Sequence, residues 1–175
     1  MAKLIQSHIH PGSTILDIGC GNMLIAKKLQ ENIKIRAHGI DVIDMNLTEL
    51  PFKMFNGKEL PYPDNSFDVC LFIGVLHHVE NQDKLLKEAR RVARKKIIIF
   101  EDIFFSKIGK LWIKVRDVVG NIPEELNMNF AFKFNNLSRW KNIFKKLHLK
   151  ILYSKIFFNH FRMTHHVIFV LAKKY

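Results

Sequence analysis

The sequence has only two cysteines, no acidic residue after Glu125, and no apolar run approaching the roughly 18 residues of a membrane span. Each absence removes a class. Cys20 stands between two glycines and Cys70 lies inside FDVCLFIGVL, so neither has the close, paired spacing of a zinc site. Both are expected to be reduced, with Cys70 buried. The opening residues MAKLIQSHIHPG contain no secretory apolar core, so the chain reads as soluble and cytoplasmic. The missing acids also make the charge one-sided. Ten of the 28 basic residues and none of the 16 acidic ones lie beyond Glu125. Most of the net +12 therefore belongs to the C-terminal third, and the preceding residues carry only about +2. Such a surface attracts nucleic acid, an anionic membrane or an acidic substrate, and serves equally to keep a protein in solution.

A chain of 175 residues that is 48% hydrophobic fits one domain spanning 1–175. Strand-like and helix-like patterns alternate without repeats, which predicts an α/β sheet covered on both faces. Strands are expected over 14–18, 34–41, 53–55, 67–73 and 96–100, and helices over 22–30 and 82–93. Between Asp41 and Asn56, interrupted by Pro51, there is no room for a full crossover helix and a strand. Pro61 and Pro63 make ELPYPDNSFD a loop. Farther on, Phe104, Ile108, Leu111, Trp112, Val115 and Val119 share one helical face with Lys107, Lys110, Lys114 and Arg116 largely off it, the pattern of a helix on a membrane surface and, more often, of one packed on its own domain, which is the expectation here. A helix follows in LSRWKNIFKKL, and 150–158 with 166–172 read as a closing antiparallel pair.

The stretch ILDIGCGN, residues 15–22, brings an apolar strand into a Gly-x-Gly turn ahead of a helix. A dinucleotide fingerprint needs a third glycine where Leu24 stands, and a P-loop needs Gly-Lys-Ser/Thr where Gly21, Asn22 and Met23 stand. What remains is a glycine turn with two acids, Asp17 within it and Asp41 at the end of the next strand. Asp17 repels a pyrophosphate and suits a cation. Asp41 suits two neighbouring ribose hydroxyls. A ligand with a ribose and an amine but no phosphate meets this description, and S-adenosyl-L-methionine is such a ligand.

With ILDIGCGN, GIDV, a short third strand, LPYPDNSFDV and GVLHHV in this order, residues 12–101 closely resemble the class I S-adenosylmethionine-dependent methyltransferases of the small-molecule, type 11-like kind. The resemblance implies a Rossmann-like, doubly wound, mostly parallel seven-stranded sheet. Its last strand would be antiparallel, helices would cover both faces, and the helix after strand 2 would be reduced. Residues 12–101 would form the cofactor-binding half and 102–175 the substrate side. It also implies site roles. Asp17 would face the methionine amino group, and the backbone of Gly19, Cys20 and Gly21 would pass beneath the methionine, with Asn22 opening the helix. Asp41 would take the ribose hydroxyls and Val42 one face of the adenine. The Asn56 oxygen would accept from the adenine amino group, with the Gly57 N–H beside it. Ile73 and Gly74 would present backbone near the methionine, with Leu76 and His77 close to the methyl group. The chain departs from relatives in its missing crossover, in Ala93-Arg94-Lys95-Lys96 where Pro-Gly-Gly is usual, and in having only a dozen residues before the first strand.

Methyl transfer from a sulfonium needs an in-line nucleophile and a dry site. For a hydroxyl or acidic-carbon acceptor a general base helps, and His77 or His78 is the candidate. Glu101 and Asp102 read as a solvated loop pair. His160, His165 and His166 lack carboxylate or Cys companions nearby in sequence, so no metal is expected. Gly74-Val75-Leu76-His77 replaces the Asn/Asp-Pro-Pro-Tyr/Phe loop of base-modifying enzymes, favouring a small-molecule acceptor. An RNA-directed enzyme or binder using the basic C-terminal surface, and a non-catalytic cofactor-binding module, remain as alternatives.

Overall fold

The computed structural model describes residues 1–125, 133–159 and 164–174, with 117–125 described by backbone alone. After a short helix α1 (Ala2–Gln6) the chain runs through β1 (Thr14–Ile18), α2 (Leu24–Ile33), β2 (Arg36–Asp41), β3 (Phe52–Met54) and β4 (Phe67–Ile73). Then follow α3 (Gln82–Val92), β5 (Ala93–Ile103), α4 (Lys107–Glu125), α5 (Leu137–Lys146), β6 (Leu149–Asn159) and β7 (Thr164–Lys173). The strands form one seven-stranded sheet in the order β3-β2-β1-β4-β5-β7-β6. Only β7 runs against its neighbours, as expected for the last strand.

Side-chain alternation along the central strands builds a core on each face. Cys70 and Phe72 of β4, with Ile97 and Ile99 of β5, pack on the side covered by α3 and α5. Their sequence neighbours Val69, Leu71 and Ile98 pack on the other side, against α1 and α2. A strand buried on both faces reads as a continuous apolar run, which is why 67–73 was legible. Trp140 and Phe144 stack at 5.6 Å on α5 and meet Phe169 of β7, locking the late part of the chain onto the sheet.

No helix connects β2 to β3. Side chains hold that loop instead: Asp44 accepts from the Asn46 amide, the Asn46 oxygen from the Thr48 amide and hydroxyl, and Asn46 donates to the Leu50 carbonyl. The proline loop is tied to α3 by Arg91, which donates to the carbonyls of Leu60 and Tyr62 and to Glu88 and Asp64.

Three expectations change. Helix α2 begins at Leu24, because Met23 adopts a left-handed conformation as its N-cap. Strand β5 continues through Ile103, since β7 pairs with Glu101, Asp102 and Ile103. On the described part of α4 the apolar face is turned outward: Ile108, Leu111 and Val115 are exposed, and Ile113 on the opposite side is buried. The expected face residue Val119 lies outside the described side chains.

Candidate functional site

Strand order reverses between β1 and β4, and in a doubly wound sheet the crevice beyond the strand ends at that point accepts ligands. Here it opens into a cavity of about 970 Å³. The glycine turn, the ends of β2 and β4, the 3-10 turn Leu76–His78 and the end of β5 all contribute walls.

The turn after β1 depends on its glycines. Gly19 has φ +69°, and a Cβ there would lie 2.1 Å from Val75 Cγ2. The Gly19 amide donates to the Ile40 carbonyl and the Gly21 amide to Asp41 Oδ2, 2.8 Å each, so the end of β2 holds the turn. Asn22 lines the cavity and accepts from the Leu24 amide, supplying a first-turn partner to α2 although it does not itself open the helix.

Asp17 lies behind the turn. It is 2% exposed, and its Oδ1 has no hydrogen-bond partner among the described residues. Burial, with the Asp41 charge adding, pushes its carboxyl up to about 7. A cation reaching it would relieve both effects. Burial and the same two carboxylates also push the Cys20 thiol upward, which makes it a poor nucleophile. Cys70, fully buried, is pushed up to about 12. Neither cysteine is in a disulfide.

Asp41 also accepts from the Val42 amide through Oδ1. Val42 and Gly57 approach one another across the cavity mouth, and a Cβ at Gly57 would sit 3.2 Å from Val42 Cγ1. The oxygen of Asn56, expected to accept from an adenine, is already taken by the amides of Lys58 and Glu59. That side chain therefore shapes the turn around Gly57. Ile73 and Gly74 line the cavity at the end of β4, where Gly74 has φ +67° and donates to the Phe100 carbonyl.

Glu101 and Asp102 are not a solvated pair. Glu101 is 1% exposed and Asp102 8%, because the longer β5 carries them into the interior. Glu101 Oε1 accepts from the Val75 and Leu76 amides at 2.9 and 2.7 Å, and Oε2 lies 2.6 Å from His77 Nδ1. One carboxylate thus shapes the turn after β4 and orients the His77 ring. That ring stacks on Phe134 at 4.5 Å and lies 4.1 Å from His78. Gln82 extends the support by donating to the Leu76 and Lys133 carbonyls, while the Lys133 amide donates to the His77 carbonyl.

Asp102 builds a second polar group on the cavity wall. It pairs with Arg116 of α4 through Oδ2 and with His166 of β7 through Oδ1. His166 faces Asp102 across the β5–β7 ladder and stacks on Phe100 at 5.3 Å. Sequence reasoning missed this grouping because its members are 14 and 64 positions apart, with His166 brought in by β7 pairing and Arg116 by an ion pair from α4. His165 packs instead between Phe105 and Phe158, and His160 lies outside the described residues. Among the described residues no three His, Cys, Asp or Glu side chains converge as metal ligands would.

A family model described as a methyltransferase domain matches residues 16–100. The chain is 33% identical over 103 residues to 27-O-demethylrifamycin SV methyltransferase of Amycolatopsis mediterranei, covering 49% of this chain and 36% of that protein. It is 34% identical over 122 residues to a ubiquinone/menaquinone biosynthesis C-methyltransferase of Rickettsia akari, covering 58% and 48%. These matches span about half or less of the relatives' length. A solved S-adenosylmethionine-dependent methyltransferase of Methanosarcina mazei shares the fold with a TM-score of 0.74 at 17% identity, over 98% of this chain and 97% of that one. Residues 16–100, just under half of the chain, match the methyltransferase-domain family, and there the chain is similar to proteins named as methyltransferases.

Proposed function

We propose that this chain is an enzyme that transfers a methyl group from S-adenosyl-L-methionine to a small-molecule acceptor, in the cytoplasm, with residues 12–101 forming the cofactor half and 102–175 the substrate side. The observation that carries the reading is the buried Asp17 carboxyl behind the glycine turn, one oxygen of it without a hydrogen-bond partner among the described residues, within electrostatic reach of Asp41 on the cavity wall. Two carboxylates that feel each other's charge resist a phosphate and are relieved by a ligand bearing an ammonium group. The residues fit the cofactor on that ground.

In this reading Asp17 holds the ammonium group of the methionine, and the backbone of Gly19, Cys20 and Gly21 passes beneath the chain that follows it. Asn22 closes the turn. Asp41 accepts from the ribose hydroxyls with its remaining lone pairs. Val42 flanks the adenine, while the Asn56 amide nitrogen and the Gly57 N–H offer donors to the ring edge. Ile73 and Gly74 border the methionine. When bound, the cofactor supplies an electrophilic methyl group on a positively charged sulfur.

His77 and His78 are the catalytic candidates. With Glu101 at Nδ1, the neutral His77 ring keeps its proton on that nitrogen, and Nε2 becomes the basic atom able to accept a proton from an acceptor hydroxyl. Asp102, Arg116 and His166 supply polar contacts for the acceptor on the α4 side of the cavity.

Calorimetric titration with S-adenosylhomocysteine, beside NAD, tests the reading. Saturable binding of the first and none of the second is expected, and Asp41→Ala should weaken it at least about tenfold, the loss of one charge-assisted hydrogen-bond pair. Absence of binding by the folded protein, or unchanged affinity in Asp41→Ala, would overturn it.

A further inference from the structure

We propose that α4 docks this protein onto an anionic lipid surface. The helix exposes an apolar crest: Ile108 is 82% exposed, Leu111 64% and Val115 50%, and Phe105 just before the helix is 61% exposed. At about 100° per residue these positions share one side of the helix. Lys107, Lys110 and Lys114 follow each other along one flank of that crest. Ile113, which is buried, and Arg116, which pairs with Asp102, face the body of the protein. Residues 107–116 contain four basic residues and no acid. A crest of large apolar side chains bordered by lysines is the pattern of a helix lying in a membrane interface.

The surface continues beyond the helix. Phe105 meets His165 at 4.9 Å and His165 meets Phe158 at 4.8 Å, which joins the crest to the exposed side of the edge strand β6. There Ile156, on the same face of the strand as Phe158, is also exposed. Among the described residues no helix is long and apolar enough to cross a membrane, so the geometry is that of lying on a surface.

Charge decides among occupants. A second copy would bring lysine-flanked faces together in a chain of net charge +12. A nucleic-acid backbone would match the lysines but leave the apolar crest without a partner. A bilayer of anionic lipid meets both, with headgroups for the lysines and acyl chains for the crest. The inference stands on the exposed surface alone, independently of which methyl acceptor the cavity takes.

Vesicle flotation tests it, with phosphatidylcholine alone and with about one third phosphatidylglycerol, alongside tryptophan emission. Trp112 lies on α4 and is half-exposed, whereas Trp140 is buried, so insertion should shift emission to shorter wavelength. Flotation with the anionic vesicles only is expected. Replacing Ile108 and Leu111 by Gln should weaken it by about tenfold for each side chain, with the unfolding midpoint unchanged. Replacing Lys107, Lys110 and Lys114 by Gln should weaken it about fivefold for each charge removed. The proposal is overturned if the folded protein does not float with anionic vesicles, or if flotation is indifferent to Ile108→Gln with Leu111→Gln. It is equally overturned if light scattering shows a dimer that those two substitutions dissolve, or if only polyuridylate is bound.

Discussion

Glu101 Oε2 lies 2.6 Å from His77 Nδ1, with both side chains buried, and the other oxygen of the same carboxylate accepts from two backbone amides. The turn that carries the candidate base is therefore built around a strand residue 24 positions later. Glu101→Ala would leave the Val75 and Leu76 amides without their acceptor in a buried setting, at a cost of about 3 kcal/mol. Glu101→Gln keeps an amide oxygen for them and should cost about 1 kcal/mol. It should also free the proton on His77 to change nitrogen. Urea unfolding measures the first effect and nitrogen-15 shifts of the His77 ring the second. Equal stability of the two variants would contradict this account.

What the sequence conveyed and what it hid follow from where the information lies. β4 announced itself because every residue from Phe67 to Phe72 is buried, and the glycine turn because Gly19 and Gly21 need positive φ. The acids Asp17 and Asp41 were legible as a pair because they end strands that lie side by side. Glu101 and Asp102 were misread as solvated because the apolar run stops at Phe100, while the strand continues only through pairing with β7. Nothing local to residue 101 carries that signal. On α4 the periodicity indicated a helix, yet period alone does not tell which side meets the protein. The Asn56 oxygen looked available for a ligand until its own turn was seen to use it.

Gly19 tests the close approach of two loops. An alanine there faces both a left-handed backbone and Val75 Cγ2 at 2.1 Å, so Gly19→Ala should destabilise by about 3 kcal/mol. Adding Val75→Ala removes the clash with Cγ2 but leaves the Val75 Cβ at 2.8 Å and the backbone strain, so the double variant should recover part of the loss, and not all of it, relative to Val75→Ala alone. Denaturant unfolding of the four proteins in the cycle measures it, and additive losses would show that the contact does not matter.

Arg116 joins α4 to β5 through Asp102, which is nearly buried, while the guanidinium is partly exposed. Arg116→Met keeps the apolar stem but leaves Asp102 with His166 alone. Because the pair is partly screened, about 1.5 kcal/mol is expected, enough for roughly tenfold easier local opening of α4. Tryptic cleavage at Lys107, Lys110 and Lys114 should accelerate by that factor, with little change in the global unfolding midpoint. Unchanged cleavage would mean that other contacts hold the helix.

Asp17 gives the protein a pH dependence opposite to that of most carboxylates. Its folded value of about 7 lies above the roughly 3.9 of an unfolded chain, because burial, with Asp41 nearby, penalises the charge. Between these values the folded state binds the extra proton. The associated stability is fully present below about pH 4 and is lost as pH rises through about 7, a change of about 4 kcal/mol across the window. Asp17→Asn should abolish this slope and be the more stable protein near pH 8. An ammonium-bearing ligand acts in the other direction, because it favours the ionised carboxylate. Affinity for S-adenosylhomocysteine should therefore rise between about pH 6 and about pH 8, with proton release greatest at the acid end of that range. Calorimetry in two buffers of different ionisation enthalpy separates the released proton from the binding heat. Binding with no proton release near pH 6 would mean that Asp17 is not the group that meets the ligand's cation.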